Sequence, residues 1–408
     1  MRSTAIEKVA PPPRHGRLAR SAAWKSALAI LGGALAVVLV AGSSVAAIAA
    51  WQLQSSIDTV SIDADLGGAP PPSLAAYEGG FNILLVGSDT REGQDTADYG
   101  EVDSVLNDVN MLLHVAEDQK SATLVSIPRD MVVPMPECEN GGPATGLPIN
   151  ETLYYGGLNC VVSTVQNLTG LDIQFAGLIT FDGVIRMSDA VGGVDVCIDA
   201  PIHDEYTGLN LATAGSHTLQ GWEALAFLRS RHGVGDGSDL GRISSQQVYL
   251  SSLVRKIKAD GTLTDITKLY GLAQAATSNM TLSQNFARLD TLVQIALVLK
   301  DIPLENITMV QYPGTTGGSG IYAGKVQPIA STAKKLFDAI AADLPISLTE
   351  DSLGLGATID PNAAPPTPAV PSTPAPDEST PAAPSPDAVV VPGLQGQPAA
   401  LATCAAAN

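Results

Sequence analysis

The segment between residues 225 and 247 carries the side chains best suited to chemistry. It reads LAFLRSRHGVGDGSDLGRISSQQ and contains Arg229, Arg231, Arg242 and Gln246. Guanidinium groups are planar and permanently charged, and each can hold two phosphate oxygens at once. Because the whole chain has a net charge of −19, this concentration of arginine is local and does not follow from composition. The spacing indicates an anion site, and several arginines suit a diphosphate better than a single carboxylate.

The elements that carry these residues decide whether they converge. From about residue 240 the sequence has the periodicity of a helix, and Arg242 and Gln246 lie about 40° apart at the edge of its apolar face. The start of a helix attracts anions, and Asp239 stands where it could cap this start. Arg229 and Arg231 would point the same way if the chain between them is extended. Four donors would then meet at one place.

The simpler alternative is that these arginines make surface ion pairs with Asp236, Asp239 or Glu223, as most arginines do. This alternative accounts for any one arginine more easily than for all of them together with Arg129 and Asp89, which follow predicted strands. Aspartates beside such a cluster indicate Mg²⁺, since that ion takes one or two carboxylates and completes its shell with water and phosphate oxygens.

Short apolar runs predict the strands behind these positions. FNILLVG and ATLVSI read as buried strands that end in polar breaks at Asp89 and Arg129, and DVNMLLHV reads as a third strand that opens at Asp108. Helical periodicity is present in INETLYYGGLNCVVSTVQNLTG, in DGVIRMSDAVGG and in SQNFARLDTLVQIALVLKDI. Strands interleaved with helices indicate an α/β layered domain, whose ligand sites tend to lie just beyond strand ends.

Composition excludes two classes of protein. The 41 acidic residues outnumber the 22 basic ones, whereas a general nucleic-acid binder needs a basic surface to displace counterions. The four cysteines lack the paired CxxC spacing of a zinc site, and the five histidines form no HExxH motif. We therefore expect neither nucleic-acid binding nor structural zinc.

The N-terminal region predicts a membrane anchor. Residues 27–50 are almost wholly apolar or small, and no charged residue lies between Lys25 and Asp58, which is long enough for a helix across a bilayer. Basic residues precede this segment and acidic ones follow it, so the positive-inside rule places the N-terminus in the cytoplasm and the remainder outside the cell membrane. A cleaved signal peptide is the alternative, but the apolar run is longer than the core of a signal peptide.

These features divide the chain into five parts. They are a cytoplasmic tail (1–25), a transmembrane anchor (26–51), a linker (52–78), an extracytoplasmic domain (79–345) and a tail rich in proline and alanine (346–408). The last part has carboxylates but no lysine or arginine, and it offers no apolar pattern to bury. We therefore expect it to be disordered.

Seven segments, in order, resemble one known family. ILLVGSDTR, NDVNMLL, ATLVSIPRDMVV, INETLYYGG, DAVGGVDV, LQGWEALAFLRSRH and DLGRISSQQ follow a single N-terminal span, as they do in the LytR-CpsA-Psr family. The likeness covers residues 81–259. It implies an α/β/α sandwich with a central mixed sheet and an apolar tunnel for a polyprenyl chain. It also implies a phosphotransferase that moves a glycopolymer from a polyprenyl-diphosphate carrier to peptidoglycan outside the cell membrane.

The resemblance also assigns roles to particular residues. It implies that Asp89 and Asp108 bind the metal, with Mg²⁺ or Mn²⁺ as the cofactor. It implies that the catalytic residues are Asp89, Asp108, Arg129 and Arg231, and that Asp130 and Asp239 support the site. Diphosphate binding falls to six side chains, namely Arg91, Arg129, Arg229, Arg231, Arg242 and Gln246. Pro148 stands where many relatives carry a basic residue, so no contact of that kind is expected here.

The cysteines and the chemistry leave alternatives open. Four cysteines allow three pairings, and the placing of cysteines in relatives implies a Cys138–Cys160 disulfide, with free buried thiols as the alternative. Cys197 is expected as a core thiol, and Cys404 falls in the predicted disordered tail. The same site could hydrolyse a polyprenyl diphosphate, and a non-catalytic module that retains cell-wall polymer is a further alternative. The sequence does not identify the polymer, the acceptor hydroxyl, the general base or the oligomeric state.

Overall fold

The structure, a computed structural model, describes residues 58–62, 77–90, 105–142, 146–259, 279–349, 351–363 and 388–408. Short runs and single residues between 24 and 48 and between 272 and 276 are described as well. The chain divides into two compact units, residues 1–52 and residues 53–408.

The first unit holds the predicted anchor. Its described residues, from Trp24 to Ile48 with gaps, are helical and exposed. Among the residues that the structure describes, no helix has both the length and the apolar character needed to cross a bilayer. Nearly all of the predicted cytoplasmic tail and part of the predicted anchor lie outside the described residues, so the membrane span stays a prediction.

The second unit contains many short strands. In chain order they are β1 Asp58–Val60, β2 Phe81–Ser88, β3 Asn107–Val115, β4 Ala122–Ile127, β5 Val132–Val133, β6 Leu147–Pro148, β7 Phe175–Ile179, β8 Val194–Ile198, β9 Ile202–Asp204, β10 Leu209–Leu211, β11 Gly215–Leu219, β12 Met280–Ser283, β13 Ile307–Gln311, β14 Gly314–Thr315, β15 Gln327–Pro328, β16 Ile346–Ser347, β17 Ala357–Ile359, β18 Val389–Val390, β19 Gly396–Pro398 and β20 Thr403–Ala405.

Helices lie between some of these strands in the chain. They are α1 Thr152–Thr169, α2 Phe181–Ala190, α3 Trp222–Arg229, α4 Asp239–Ala259, α5 Leu289–Asp301 and α6 Ala330–Ala341, with short 3-10 helices at Ile149–Glu151, Leu304–Asn306 and Gly320–Tyr322.

Eight of the strands form one mixed sheet in the spatial order β1-β12-β7-β2-β3-β4-β13-β19. The pairs β2–β7 and β4–β13 are parallel, whereas β2–β3 and β3–β4 are antiparallel. A second sheet has the order β11-β8-β20-β17. The mixed central sheet agrees with the architecture that the resemblance implied.

Side chains of the central strands alternate between two cores, because successive residues of a strand point to opposite faces. Leu84 and Val86 pack in one core with residues of α1 and α6. Phe81 and Ile83 pack in the other core with residues of α5 and α4. Helices therefore cover both faces of the central sheet, which is the predicted α/β/α arrangement.

The predicted elements are present with some shifted bounds. FNILLVG, DVNMLLHV and ATLVSI form β2, β3 and β4 as expected. Helix α1 carries a kink at Gly156 and Gly157 that periodicity did not predict, and Gly157 has a φ of 60° that favours glycine. The helix predicted over SQNFARLDTLVQIALVLKDI begins only at Leu289, because its first residue, Ser283, ends β12 and a turn follows.

Two predicted boundaries are wrong. The linker prediction for residues 52–78 fails at β1, which pairs in parallel with β12, and at Ile62, which is buried. The disordered-tail prediction for residues 346–408 fails at β16 to β20, since β19 extends the central sheet and β20 lies inside the second sheet. The physical reason is that short apolar runs such as AVVV and LATCA pair with strands from distant parts of the chain. The composition of a proline-rich segment does not indicate such pairing.

Both pairs of cysteines are bonded. Cys138 and Cys160 form the disulfide that the resemblance implied. Cys197 bonds to Cys404 across 207 residues of sequence, so the expectation of a free core thiol at Cys197 was wrong. Cross-links between distant residues restrict the unfolded chain more strongly, and the second bond therefore ties the segment that carries β20 to the folded unit.

Candidate functional site

A cavity of about 500 Å³ lies among the end of β2, the start of β3, α2 and α4. Part of its polar wall is formed by Asp108 of β3, by the loop after β4, by the end of α3 and by the first turns of α4. The structure thereby brings together five of the six predicted diphosphate-binding residues, namely Arg129, Arg229, Arg231, Arg242 and Gln246. The sixth, Arg91, lies outside the described residues.

The first turns of α4 deliver two of these side chains. The hydroxyl of Ser238 accepts the N–H of Gly241 at 3.1 Å, so Ser238 caps this helix start and the predicted cap at Asp239 was wrong. Arg242 and Gln246 are only 5% and 3% exposed, as the helical periodicity predicted. A guanidinium group buried this far needs partners.

Two aspartates join Arg242 to Arg129. Nη2 of Arg242 lies 2.6 Å from Oδ1 of Asp239 and donates to the backbone oxygen of Asp108 at 2.9 Å. Nη1 of Arg129 donates to Oδ1 of Asp108 at 2.7 Å, and its backbone N–H donates to Oδ2 of Asp239 at 3.1 Å. Each aspartate contacts both arginines, and the two guanidinium groups are therefore fixed relative to each other.

Each of the two arginines has one buried donor without a hydrogen-bond partner in the described part of the chain. Burial disfavours the charge of Arg129, but the carboxylates of Asp108, Asp239 and Asp130 outweigh burial and raise its pKa. Nε of Arg129 and Nε of Arg242 are buried and have no hydrogen-bond partner among the described residues. A buried donor without a partner costs about 1–3 kcal/mol.

The other two arginines reach the cavity from the end of α3. The guanidinium carbon of Arg229, the last residue of α3, lies 4.4 Å from the centre of the Phe181 ring, a favourable cation–π contact. Ser230 is extended and turns the chain, and Nη1 of the next residue, Arg231, lies 3.9 Å from Oδ2 of Asp130. The predicted extended segment is thus limited to Ser230, yet both arginines line the same cavity.

Asp204 organises the loop that carries Arg231, and sequence reasoning missed it. Its Oδ2 accepts the hydroxyl of Ser230 at 2.8 Å and the backbone N–H groups of Arg231, His232 and Gly233 at 3.1, 3.1 and 3.2 Å. Burial would raise the pKa of this carboxyl, but the hydrogen bonds outweigh burial and lower it. The available signal was one of two adjacent acidic residues in PIHDEYTG, which by itself predicts only a turn.

Replacing Asp204 with asparagine is expected to lower the free energy of unfolding at pH 7 by about 1.5–3 kcal/mol, the usual contribution of hydrogen bonds to a charged group. The amide would present N–H groups to donors that need an acceptor. Because the folded pKa is depressed, the wild-type advantage is present above the unfolded value of about 3.9 and is lost as the pH falls through the folded pKa. Denaturant titrations of both proteins at a series of pH values check this, and a difference that stays constant down to acid pH would contradict it.

Helix α4 leads from the polar to the apolar part of the cavity. Beyond Arg242 and Gln246 the lining continues with Leu250, Leu253 and Ile257, and at 1.5 Å per residue this wall is about 22 Å long. Apolar side chains of β3, β7 and α2 form other parts of the wall, namely Val109, Met111, Ile179, Val184 and Met187. One cavity therefore offers a cationic part and an extended apolar part.

The two predicted metal-binding aspartates lie at the ends of neighbouring strands. Asp89 follows β2, where its backbone N–H donates to the oxygen of Leu106 at 3.1 Å and its Oδ1 accepts the N–H of Leu106 at 2.8 Å. Asp108 is the second residue of β3 and lines the cavity, whereas Asp89 is not among the described lining residues. Carboxylate oxygens are the ligands that Mg²⁺ prefers, and Mn²⁺ accepts them too. The donor chemistry of this pair fits either ion.

Comparison with known proteins covers most of the chain. The family model described as the LytR_cpsA_psr family matches residues 46–338. The chain belongs to this family. Among the curated LytR_cpsA_psr relatives, the cell wall biosynthesis protein LcpA of Corynebacterium glutamicum is 30% identical over 285 residues, which is 62% of this chain and 54% of LcpA. TagT of Bacillus subtilis, named a polyisoprenyl-teichoic acid–peptidoglycan teichoic acid transferase, is 26% identical over 257 residues, 60% of this chain and 75% of TagT.

Solved structures share the LytR_cpsA_psr fold with this chain. TagV of Bacillus subtilis matches with a TM-score of 0.52 and 22% identity over 65% of this chain and 98% of TagV. The LytR-Csp2A-Psr enzyme from Actinomyces oris matches with a TM-score of 0.50 and 22% identity over 70% of this chain and 95% of that protein. The chain spans about half the length of the first curated relatives that it matches. The family match ends at residue 338, so β16 to β20 lie beyond it.

Proposed function

We propose that this protein transfers a glycopolymer from a polyprenyl-diphosphate carrier to peptidoglycan. The observation that carries the proposal is the single cavity with four arginines in one part and apolar side chains along α4 in the other. A lipid with a diphosphate head and an isoprenoid chain matches both parts, since guanidinium groups pair with phosphate oxygens and apolar walls bury hydrocarbon. The relative TagT, which is named as a transferase to peptidoglycan, supports the same reaction class.

In the proposed reaction a hydroxyl of the acceptor sugar attacks the phosphorus that carries the glycan. A new oxygen–phosphorus bond forms, the bridging bond of the diphosphate breaks, and polyprenyl phosphate leaves. The hydroxyl proton passes to a carboxylate of the site, Asp89 or Asp108. Arg129 and Arg231 stabilise the charge on the phosphate oxygens, which is the main contribution a protein makes to phosphoryl transfer.

We further propose that Asp89 and Asp108 hold Mg²⁺ or Mn²⁺ beside the diphosphate. When bound, such an ion neutralises charge on the phosphate oxygens. An amide is a poorer ligand than a carboxylate for a hard cation, so Asp89→Asn is expected to weaken Mg²⁺ binding in titration calorimetry. An unchanged affinity would count against this assignment.

We infer a single-pass protein of the cell membrane, with its N-terminus in the cytoplasm and its cavity outside. Support comes from the apolar residues 27–50, from the basic residues before them, and from two disulfides, which persist mainly outside the cytoplasm. A reporter fused after Gly80 should be active only outside the cytoplasm. Activity inside would contradict the topology.

Lipid binding tests the diphosphate assignment without requiring transfer. The full chain in detergent is titrated with sugar-free polyprenyl diphosphate and with polyprenyl monophosphate. Because each charge-assisted hydrogen bond contributes about 1.5–3 kcal/mol, we expect the diphosphate to bind about tenfold more tightly or better. Equal affinities for the two lipids would show that the arginines do not recognise the second phosphate.

A further inference from the structure

The rim of the cavity carries two rings in contact that the proposed reaction does not use. Tyr206 is 80% exposed, and its ring centre lies 4.4 Å from that of His232, with the planes inclined by 39°. Both residues line the cavity, as does Arg231. Leaving apolar area in water is unfavourable by about 25 cal/mol per Å². An exposed ring beside a ligand cavity therefore indicates a contact surface.

One buried carboxylate holds the backbone of both residues in place. Oδ1 of Asp204 accepts the backbone N–H of Tyr206 at 3.0 Å, and Oδ2 accepts that of His232 at 3.1 Å. The side-chain amide of Asn408 donates to the backbone oxygen of His232 at 2.9 Å. A surface that is ordered before binding loses little conformational freedom when a ligand arrives. The backbone that carries the ring pair is thus preorganised.

We propose that the Tyr206–His232 pair is a saccharide subsite, on which the C–H face of a sugar ring stacks. The face of an aromatic ring is electron-rich and attracts polarised C–H groups, while the sugar hydroxyls at the edge stay hydrated. The position favours a sugar because Arg231 precedes His232 in the same loop. Resting on the proposed function, both the sugar joined to the bound phosphate and the sugar that attacks it must lie within a few bonds of this arginine.

The test compares two substitutions at Tyr206 with a matched control. Tyr206→Ala removes the ring, and Tyr206→Phe keeps it. Tyr154→Ala is the control, since Tyr154 is also an exposed tyrosine at 63%, packs edge-on against Tyr155 at 5.3 Å, and is not among the described residues that line the cavity. The full chain is titrated with sugar-free polyprenyl diphosphate, with the same lipid carrying a disaccharide, and with soluble peptidoglycan strands. Melting temperatures of all variants verify folding.

The two possible sources of the sugar give different results. If the donor sugar stacks, Tyr206→Ala weakens binding of the disaccharide lipid about 3- to 10-fold, as expected for loss of an aromatic contact, and leaves the sugar-free lipid unchanged. If the acceptor sugar stacks, the same loss appears for peptidoglycan strands and in the KM for peptidoglycan, with kcat retained. In both cases Tyr206→Phe and Tyr154→Ala behave as the wild type.

Three outcomes would overturn the subsite. The first is that Tyr206→Ala binds both sugar ligands with wild-type affinity. The second is that Tyr206→Ala loses affinity for the sugar-free lipid to the same extent as for the sugar ligands. The third is that Tyr206→Phe also loses affinity, which would show that the hydroxyl and not the ring is recognised. Failure of the wild type to bind sugar-free polyprenyl diphosphate would instead refute the proposed function. The peptidoglycan arm would then still decide whether the rings bind sugar.

Discussion

Arg231→Lys is expected to lower the rate of glycopolymer transfer about 100- to 1000-fold, the usual effect of removing one preorganised donor from a transition state. Lysine keeps the positive charge but lacks the planar fork that holds two phosphate oxygens. The fold should survive, because the Arg231 side chain is 36% exposed and its contact with Asp130 is 3.9 Å long, although the hydrogen bond from its Nε to the backbone oxygen of Gly237 is lost. Transfer rate and melting temperature are measured on the same preparations.

Arg288→Lys is the matched control for this experiment. Its guanidinium fork is held by Asp290 through hydrogen bonds of 3.1 and 2.8 Å, and Arg288 is not among the described residues that line the cavity. The control should transfer at the wild-type rate. If Arg231→Lys also stays within about twofold of the wild type, as expected for a surface ion pair, the diphosphate assignment fails and Arg231 is only a partner of Asp130.

A substitution of Arg242 separates an effect on ligand binding from an effect on folding less clearly than a substitution of Arg231. Its ion pair with Asp239 is buried, with side chains only 6% and 3% exposed. Removing one member of a buried pair costs about 3–5 kcal/mol because the other charge is left without a partner. Loss of activity in Arg242→Ala would therefore combine a ligand effect with a folding effect.

Deletion of residues 388–408 is expected to produce the largest loss of stability. It removes β19 from the central sheet and β20 from between β8 and β17. It also removes the Cys197–Cys404 disulfide, and loss of a native disulfide alone costs about 2–5 kcal/mol. The deletion further loosens the arginine loop, since the N–H of Gly235 donates to Ala406 at 2.9 Å and that of Asn408 donates to Gly233 at 3.1 Å.

A replacement of a neighbouring segment is the control for this deletion. Residues 366–385, which are rich in proline and alanine and for which the sequence predicts no packing, are replaced by a Gly-Ser linker of equal length. This variant should melt as the wild type does, whereas the 388–408 deletion should melt far lower or fail to fold. A deletion variant with wild-type melting temperature and transfer rate would show that β18 to β20 do not contribute to the fold.

Local patterns predicted those features whose cause lies within one element. The buried positions of Arg242 and Gln246 follow from helical periodicity alone, and the strands β2, β3 and β4 follow from uninterrupted apolar runs. Asp89 and Arg129 were predicted at strand ends and are found there. In each case the residues that determine the outcome are neighbours in sequence.

Features that depend on distant partners were missed. Asp204 is important because the loop with Arg231 folds back over it from 26 to 29 residues later in the chain, and no local spacing shows that contact. The strands near Cys404 are only two or three residues long and are stabilised by sheet edges and by a cysteine 207 residues away. Composition therefore predicted disorder where tertiary pairing produces structure.

The most direct test of the central claim is to measure which product carries the phosphate next to the sugar. The full chain in detergent is incubated with Mg²⁺, peptidoglycan and a polyprenyl-diphosphate disaccharide labelled at the phosphate next to the sugar. Transfer predicts that the label becomes covalently attached to peptidoglycan while unlabelled polyprenyl monophosphate is released in equal amount. Label released as a soluble sugar phosphate would show hydrolysis, and an intact donor that stays bound would show a polymer-binding protein; either result would contradict the proposed transfer.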